Sequence, residues 1–240
     1  MKGRIGLLLA LGLAAPAEAG MRATYSDGTQ GRQLVIEVAD NGDARVSGGE
    51  EGEYGLLLGG HFYMVGKQGG ALKVARIEDV AAAIDQVMPP VFKGMLAGAF
   101  PEPPKAFRAE KKGARTIGGR EGVVYAIYGL DESRPGQAEE FVMSADPALK
   151  PVGAAMEQFM NAAIVPAAPL IGPGAAELVA DTRAIFALGT PLDAAGRFRL
   201  EKVEAAVVPA AALALPGKAE TVDELVAEMK AAQKTGAPAE

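Results

Sequence analysis

The chain has 240 residues and a formal net charge of −6, an acidic balance that argues against nucleic acid and anionic membrane surfaces as partners. It contains no cysteine and a single histidine, His61. That excludes disulfides, thiolate nucleophiles, cysteine or multi-histidine zinc sites, and an amino-terminal lipid anchored on cysteine. At 49% hydrophobic and 5% aromatic it has apolar material for one large core, much of it Ala and Gly.

Residues 1–19 read as a signal peptide. Lys2 and Arg4 open it, Ile5 to Ala15 is apolar, and Ala17-Glu18-Ala19 is a small-x-small cleavage site. The apolar run is too short for a spanning helix, which needs about 20 residues. The expectation is an exported protein that begins at Gly20, with no transmembrane segment.

Strands are predicted over residues 21–25, 33–39, 44–47, 53–58, 62–66 and 72–76. Asp27-Gly28, Asn41-Gly42, Gly48-Gly49, Gly59-Gly60 and Gly69-Gly70 separate them, and such pairs supply the positive φ of tight hairpins, so an antiparallel meander is expected. None of these glycines opens a helix before Lys-Ser or Lys-Thr, so none is a phosphate loop. Ile77, Val80, Ala81, Ile84 and Met88 then fall at helical spacing, and Pro89-Pro90 ends that helix. A second helical run carries Val91, Phe92, Met95, Leu96, Ala99 and Phe100 on one side, and Pro101, Pro103 and Pro104 close it.

Strand returns at 106–110, 122–130 and 139–144. Asp146-Pro147 is a helix start, because Asp accepts from free N–H groups and Pro suits the first helical position. Met156, Phe159, Met160 and Ala163 lie on one face of that helix. Another helix is expected over 175–187 with Leu178, Thr182, Ile185 and Phe186 inward, then a strand over 198–208. Ala214-Leu215-Pro216-Gly217 is expected to close the sheet. Thr221 and Glu224 form a capping box for a last helix to about residue 232, with a disordered tail from Lys234.

No catalytic constellation is legible. His61 has neither an orienting acid nor a nucleophile at a readable spacing, and it reads as a hairpin-edge residue. Asp131-Glu132 and Glu139-Glu140 lack the alternating acidic loop of a calcium site and read as solvated surface. Lys111-Lys112 with Arg115 and Arg120 is the densest basic group, open to an acidic partner or to simple solvation. The candidate binding set is apolar: Met88, Phe92, Met95, Leu96, Phe100, Met156, Phe159 and Met160. Methionine is flexible and polarizable, so this set reads either as ordinary core or as a surface for variable apolar ligands.

Gly118-Gly119-Arg120-Glu121-Gly122, the following strand VVYAIY, and EEFVMSADPALKP together resemble LolA-like periplasmic domains, the superfamily of the lipoprotein localisation factors. Gly189-Thr190-Pro191-Leu192 with Gly196-Arg197-Phe198-Arg199-Leu200-Glu201-Lys202-Val203 is similar to a second recurring piece. The resemblance implies an α+β domain over residues 20–218, an incomplete antiparallel β-barrel with helices covering the concave face. Residues 219–240 would add a helix and tail. It also implies a periplasmic location and space for an acyl chain between half-barrel and helices. The leading expectation is a non-enzymatic binding protein for a lipid, acyl chain or other hydrophobic ligand, without cofactor or metal. The alternative is a periplasmic interaction or sensor module with a filled core, which meets an envelope protein partner.

Overall fold

The structure is a computed structural model, and residues 17–28, 31–48, 52–68, 70–92, 107–130, 136–171 and 173–235 are described. Strands β1 (Ala17–Asp27), β2 (Gln33–Ala39), β3 (Ala44–Ser47), β4 (Tyr54–Leu58), β5 (His61–Gln68) and β6 (Ala71–Arg76) form a meander. Helix α1 (Ile77–Val87) follows. A second run holds β7 (Arg108–Ile117), β8 (Arg120–Tyr128) and β9 (Glu139–Ser144). A 3-10 turn leads into α2 (Lys150–Ile164), and α3 (Ala168–Ile171) and α4 (Pro173–Phe186) come next. The chain ends with the hairpin β10 (Thr190–Ala194) and β11 (Phe198–Pro209) and the helix α5 (Val222–Thr235). All eleven strands join one sheet, in the order β6-β5-β4-β3-β2-β1-β11-β10-β9-β8-β7. Every strand pairing is antiparallel, and β6 and β7 are the outer strands. This is an α+β fold with an open antiparallel sheet.

Local chemistry accounts for the hairpins. Gly59 and Gly60 take φ of +55° and +83°, the pair of left-handed residues that a two-residue turn needs between right-twisted strands. Alternation then fixes which face is inside: Leu34, Ile36 and Val38 of β2 are buried, and Gln33, Val35 and Glu37 are not. β4 breaks this pattern. Leu57 joins the main core, while Leu56 on the opposite face packs with Val65, Val74, Leu215 and Ala219. The segment after β11 therefore covers the second face of β4 to β6.

The main core lies between the sheet and α2. Leu149, Val152, Ala155 and Met156 pack with Tyr25, Ile36, Val46, Phe62, Val124, Leu192 and Leu200. α2 contacts β2, β3, β4, β5 and β10. The 3-10 turn that leads into it, Pro147–Leu149, is capped by the Asp146 carboxylate, which accepts from Ala148 N at 2.9 Å and pairs with Arg120 at 2.7 Å. At β10 the helix comes close. Thr190 Oγ1 donates to Leu149 O at 2.9 Å, and a Cβ on Gly153 would lie 2.5 Å from that hydroxyl.

Tyr25 is fully buried and its hydroxyl donates to Pro191 O at 3.0 Å; burial pushes its phenol pKa well up. Tyr25→Phe leaves that carbonyl without its donor, a cost of about 2 kcal/mol. The expected result is a lower urea midpoint at unchanged slope.

Several expectations change. β1 starts at Ala17, and Ala17, Glu18 and Ala19 pair with Pro209, Val208 and Val207. Its pairing with β2 starts only at Gly20, opposite Ala39, so a chain cut before Gly20 keeps that whole register. The expected inward set of α4 holds in part: Ile185 and Phe186 pack against the core clusters, while Leu178 is exposed and the Thr182 hydroxyl bonds back to Leu178 O at 2.8 Å. β7 runs to Ile117 and not to residue 110, because pairing with β8 extends a polar segment that has no apolar pattern of its own. Residues 214–217 form no strand. Among the described residues, the sheet edge at β6 meets Glu220, through one parallel bridge to Ala75 and a Glu220 N to Val74 O bond of 2.8 Å. Lys73 ties this contact down, to Glu220 at 2.6 Å and Glu228 at 2.8 Å, and these bonds raise its pKa. α5 extends through Thr235, past the expected end, and residues 236–240 lie outside the described set.

The capping box is present. Glu224 N donates to Thr221 Oγ1 at 3.3 Å, and Thr221 N donates to Glu224 Oε2 at 2.7 Å. The Thr221 backbone N–H, then its hydroxyl and Lys218, hold the Glu224 carboxyl at about 2, below its usual 4.5. A lowered folded-state value means stabilisation that is complete above the unfolded value and lost as pH falls through the folded one. The first turn of α5 is therefore expected to lose amide-exchange protection between pH 4.5 and about 2. Glu224→Gln should lose most of that pH dependence.

Candidate functional site

An open groove of about 490 Å³ lies between the carboxyl-terminal half of α2 and the strands β2 to β5. Its floor is Leu34, Val46 and Phe62, and α2 contributes Phe159, Met160, Ala162 and Ala163. Phe62 and Phe159 face each other with ring centroids 6.4 Å apart and planes tilted by 55°. Gly55 makes the depression possible. A Cβ there would fall 2.2 Å from Phe62 Cζ, so the ring occupies the space a side chain would take. Met64 at the mouth is 49% exposed and Met160 37% exposed, so the groove carries apolar surface out to solvent. Arg32, Asp27 and Glu53 ring it with charge. Arg32 and Glu53 are exposed.

The expected binding set divides. Phe159 and Met160 line the groove. Met156 does not: at 2% exposed it is plain core, one helical turn too early to reach the opening. Met88 is half-buried just past the end of α1 and lines no part of the groove. Phe92 is 56% exposed in a turn of helix after Pro89, also away from it. Met95, Leu96 and Phe100 lie outside the described residues. Missing from the expected set were the sheet residues Leu34, Val46, Phe62 and Met64. Their signal was present in the alternation of β2 and β5 and in the mid-strand Gly55, but alternation marks any buried sheet face.

The polar candidates that fall among the described residues lie apart from the groove. His61 is exposed, and its Nδ1 lies 4.0 Å from Glu78. His61→Ala is expected to shift the melting transition by less than about 0.5 kcal/mol and to leave probe binding unchanged; a loss of binding at normal stability would place a site at that hairpin. Glu139 pairs with Arg197 and Glu140 with Arg115, while Asp131 and Glu132 lie outside the described residues. Among the described residues no group of three or more His, Asp or Glu side chains is placed to hold a metal. Among them, too, no helix is long and apolar enough to cross a membrane.

The chain matches no protein-family model, no curated protein and no solved structure.

Proposed function

We propose that this protein is a periplasmic binding protein for a lipid, acyl chain or other hydrophobic ligand. In this reading residues 1–19 direct export, and the sheet is a LolA-like half-barrel with helices over its concave face. The observation that carries it is the apolar groove of about 490 Å³, in the size range of ligand pockets and with charge only at its rim. Each methylene moved into it from water contributes about 0.8 kcal/mol before association costs. The alternative, an interaction or sensor module with a filled core, has less support, because the groove opens between α2 and the sheet, with Met64 exposed at its mouth. No catalytic role is proposed.

The test uses cis-parinaric acid, whose fluorescence rises in an apolar site. Wild-type protein should bind it. Ala163→Trp puts a large ring into the groove and should weaken binding at least about tenfold, or ~1.4 kcal/mol. Ala154→Trp, on an exposed part of α2 outside the groove, should bind as wild type does. Wild-type protein that leaves the probe dark, or two variants that bind equally, would end this reading.

A further inference from the structure

The two edges of the sheet are treated differently. β6 is covered in part by the Glu220 bridge and the Lys73 ion pairs. β7 pairs only with β8 among the described residues, so its outer row of N–H and C=O groups takes no strand partner from them. β7 has ten residues, and Lys111, Lys112, Gly113, Ala114, Arg115 and Thr116 are all exposed. Its ends are held. Arg108 lies over the Tyr128 ring at 4.3 Å, Ile117 is buried, and the turn at Gly118 approaches Leu200 O closely. The strand is held at both ends around an exposed middle, where a bulge at Lys112 interrupts the pairing with β8 and leaves Gly113 to Ile117 as the regular part of the edge.

The charge of this strand runs against that of the chain. Arg108–Ile117 carries four cations and one carboxylate, within a protein of net charge −6. Glu110 takes Lys112 at 2.7 Å, Arg115 reaches Glu140, and Lys111 has no ion-pair partner among the described residues. A second copy laid antiparallel on β7 would bring these cations against each other, and like charges facing across a ladder are unfavourable. An acidic strand meets the opposite situation: carboxylates on one of its faces would stand one strand spacing, about 4.8 Å, from Lys111, and those on its other face the same distance from Arg115, since the register puts Lys111 opposite Tyr125 and Arg115 opposite Gly122.

We propose that the outer edge of β7 is a docking site for an extended acidic segment of a partner protein, which adds to the sheet as a further strand. The backbone ladder supplies attachment, and the cations select acidic sequence and exclude self-pairing. This does not depend on the groove or its ligand.

The experiment uses a fluorescein-labelled decapeptide alternating Glu with Val or Thr, with anisotropy as the readout. Two further peptides carry N-methyl groups on alternate residues, one set on each edge. Wild-type protein should bind the parent peptide and one methylated peptide and lose the other, because only one edge of an added strand faces β7. Those amides between Lys111 and Thr116 that point away from β8 should gain exchange protection on binding, and those bonded to β8 should not. The double substitution Lys111→Glu and Lys112→Glu should weaken binding by about tenfold or more, with a melting temperature near wild type. Absence of binding overturns the proposal, as does equal binding of both methylated peptides, which would mean charge alone. Unchanged affinity in the double variant overturns it too. So does charge-dependent binding to phosphatidylglycerol vesicles without protection of β7 by the peptide, which would assign the strand to a membrane.

Discussion

Met156→Arg is expected to unfold the protein. Met156 is 2% exposed, and it packs in the cluster with Ile36, Val46, Phe62, Ala155 and Leu192. An arginine there has no carboxylate partner in that apolar cluster, and an unpaired buried charge costs on the order of 4 kcal/mol or more. Domains of this kind are stable by roughly 5–15 kcal/mol, so the variant should be soluble poorly or melt many degrees lower. Met160→Arg is the control. It sits four residues on, at 37% exposure on the groove wall. Its stem can lie along the groove with the guanidinium in water, so the loss should stay under about 1 kcal/mol, while parinaric acid is displaced. A cooperative melt of Met156→Arg near wild type would show that the core beneath α2 is misplaced.

Gly153→Leu is the second large effect, expected to cost about 3 kcal/mol or more through overpacking. Even a Cβ at Gly153 would sit 2.5 Å from Thr190 Oγ1 and 3.3 Å from Thr190 Cα. The hydroxyl has little freedom to yield: it belongs to a short β-branched side chain that is buried and bonded to Leu149 O. Helix α2 must lift from β10, which breaks that bond and opens the cluster around Val152 and Leu192. Gly153→Ala separates the competing terms. A helix gains up to about 1 kcal/mol from Ala over Gly, so on an unobstructed face this change would stabilise. A net loss of stability in Gly153→Ala, measured by urea unfolding, supports the close approach; a gain of the helix-propensity size would refute it.

These two variants also show how far one chain position is legible. The spacing of Met156, Phe159, Met160 and Ala163 places them on one helix face, and the structure agrees. Spacing says which way a side chain points, not what lies opposite. The α2 turn carrying Met156 meets the packed middle of the sheet, and the next meets β4 and β5, where the Phe62 ring lies over Gly55 and the groove opens. The distinction between core and groove therefore came from strands more than eighty residues earlier in the chain. The same limit applies to β7, whose residues 111–116 have no buried face and so gave no alternation to read.

Local order was set by the sequence itself. Gly59-Gly60 permits a hairpin turn through positive φ, Asp146-Pro147 starts a helix through its carboxylate and fixed φ, and Thr221 with Glu224 caps α5. Each needs only a few neighbouring residues, so each is written into a short stretch. Tertiary structure alone decided what depends on distant partners. β1 met β11 and so fused two meanders into one sheet; Glu220 reached the β6 edge, while among the described residues β7 paired only with β8. Phe62 and Phe159 came together to make an opening between sheet and helix. Pairing and packing between remote segments follow from shape and from the whole chain's burial, and no local pattern of apolar or charged residues carries that information.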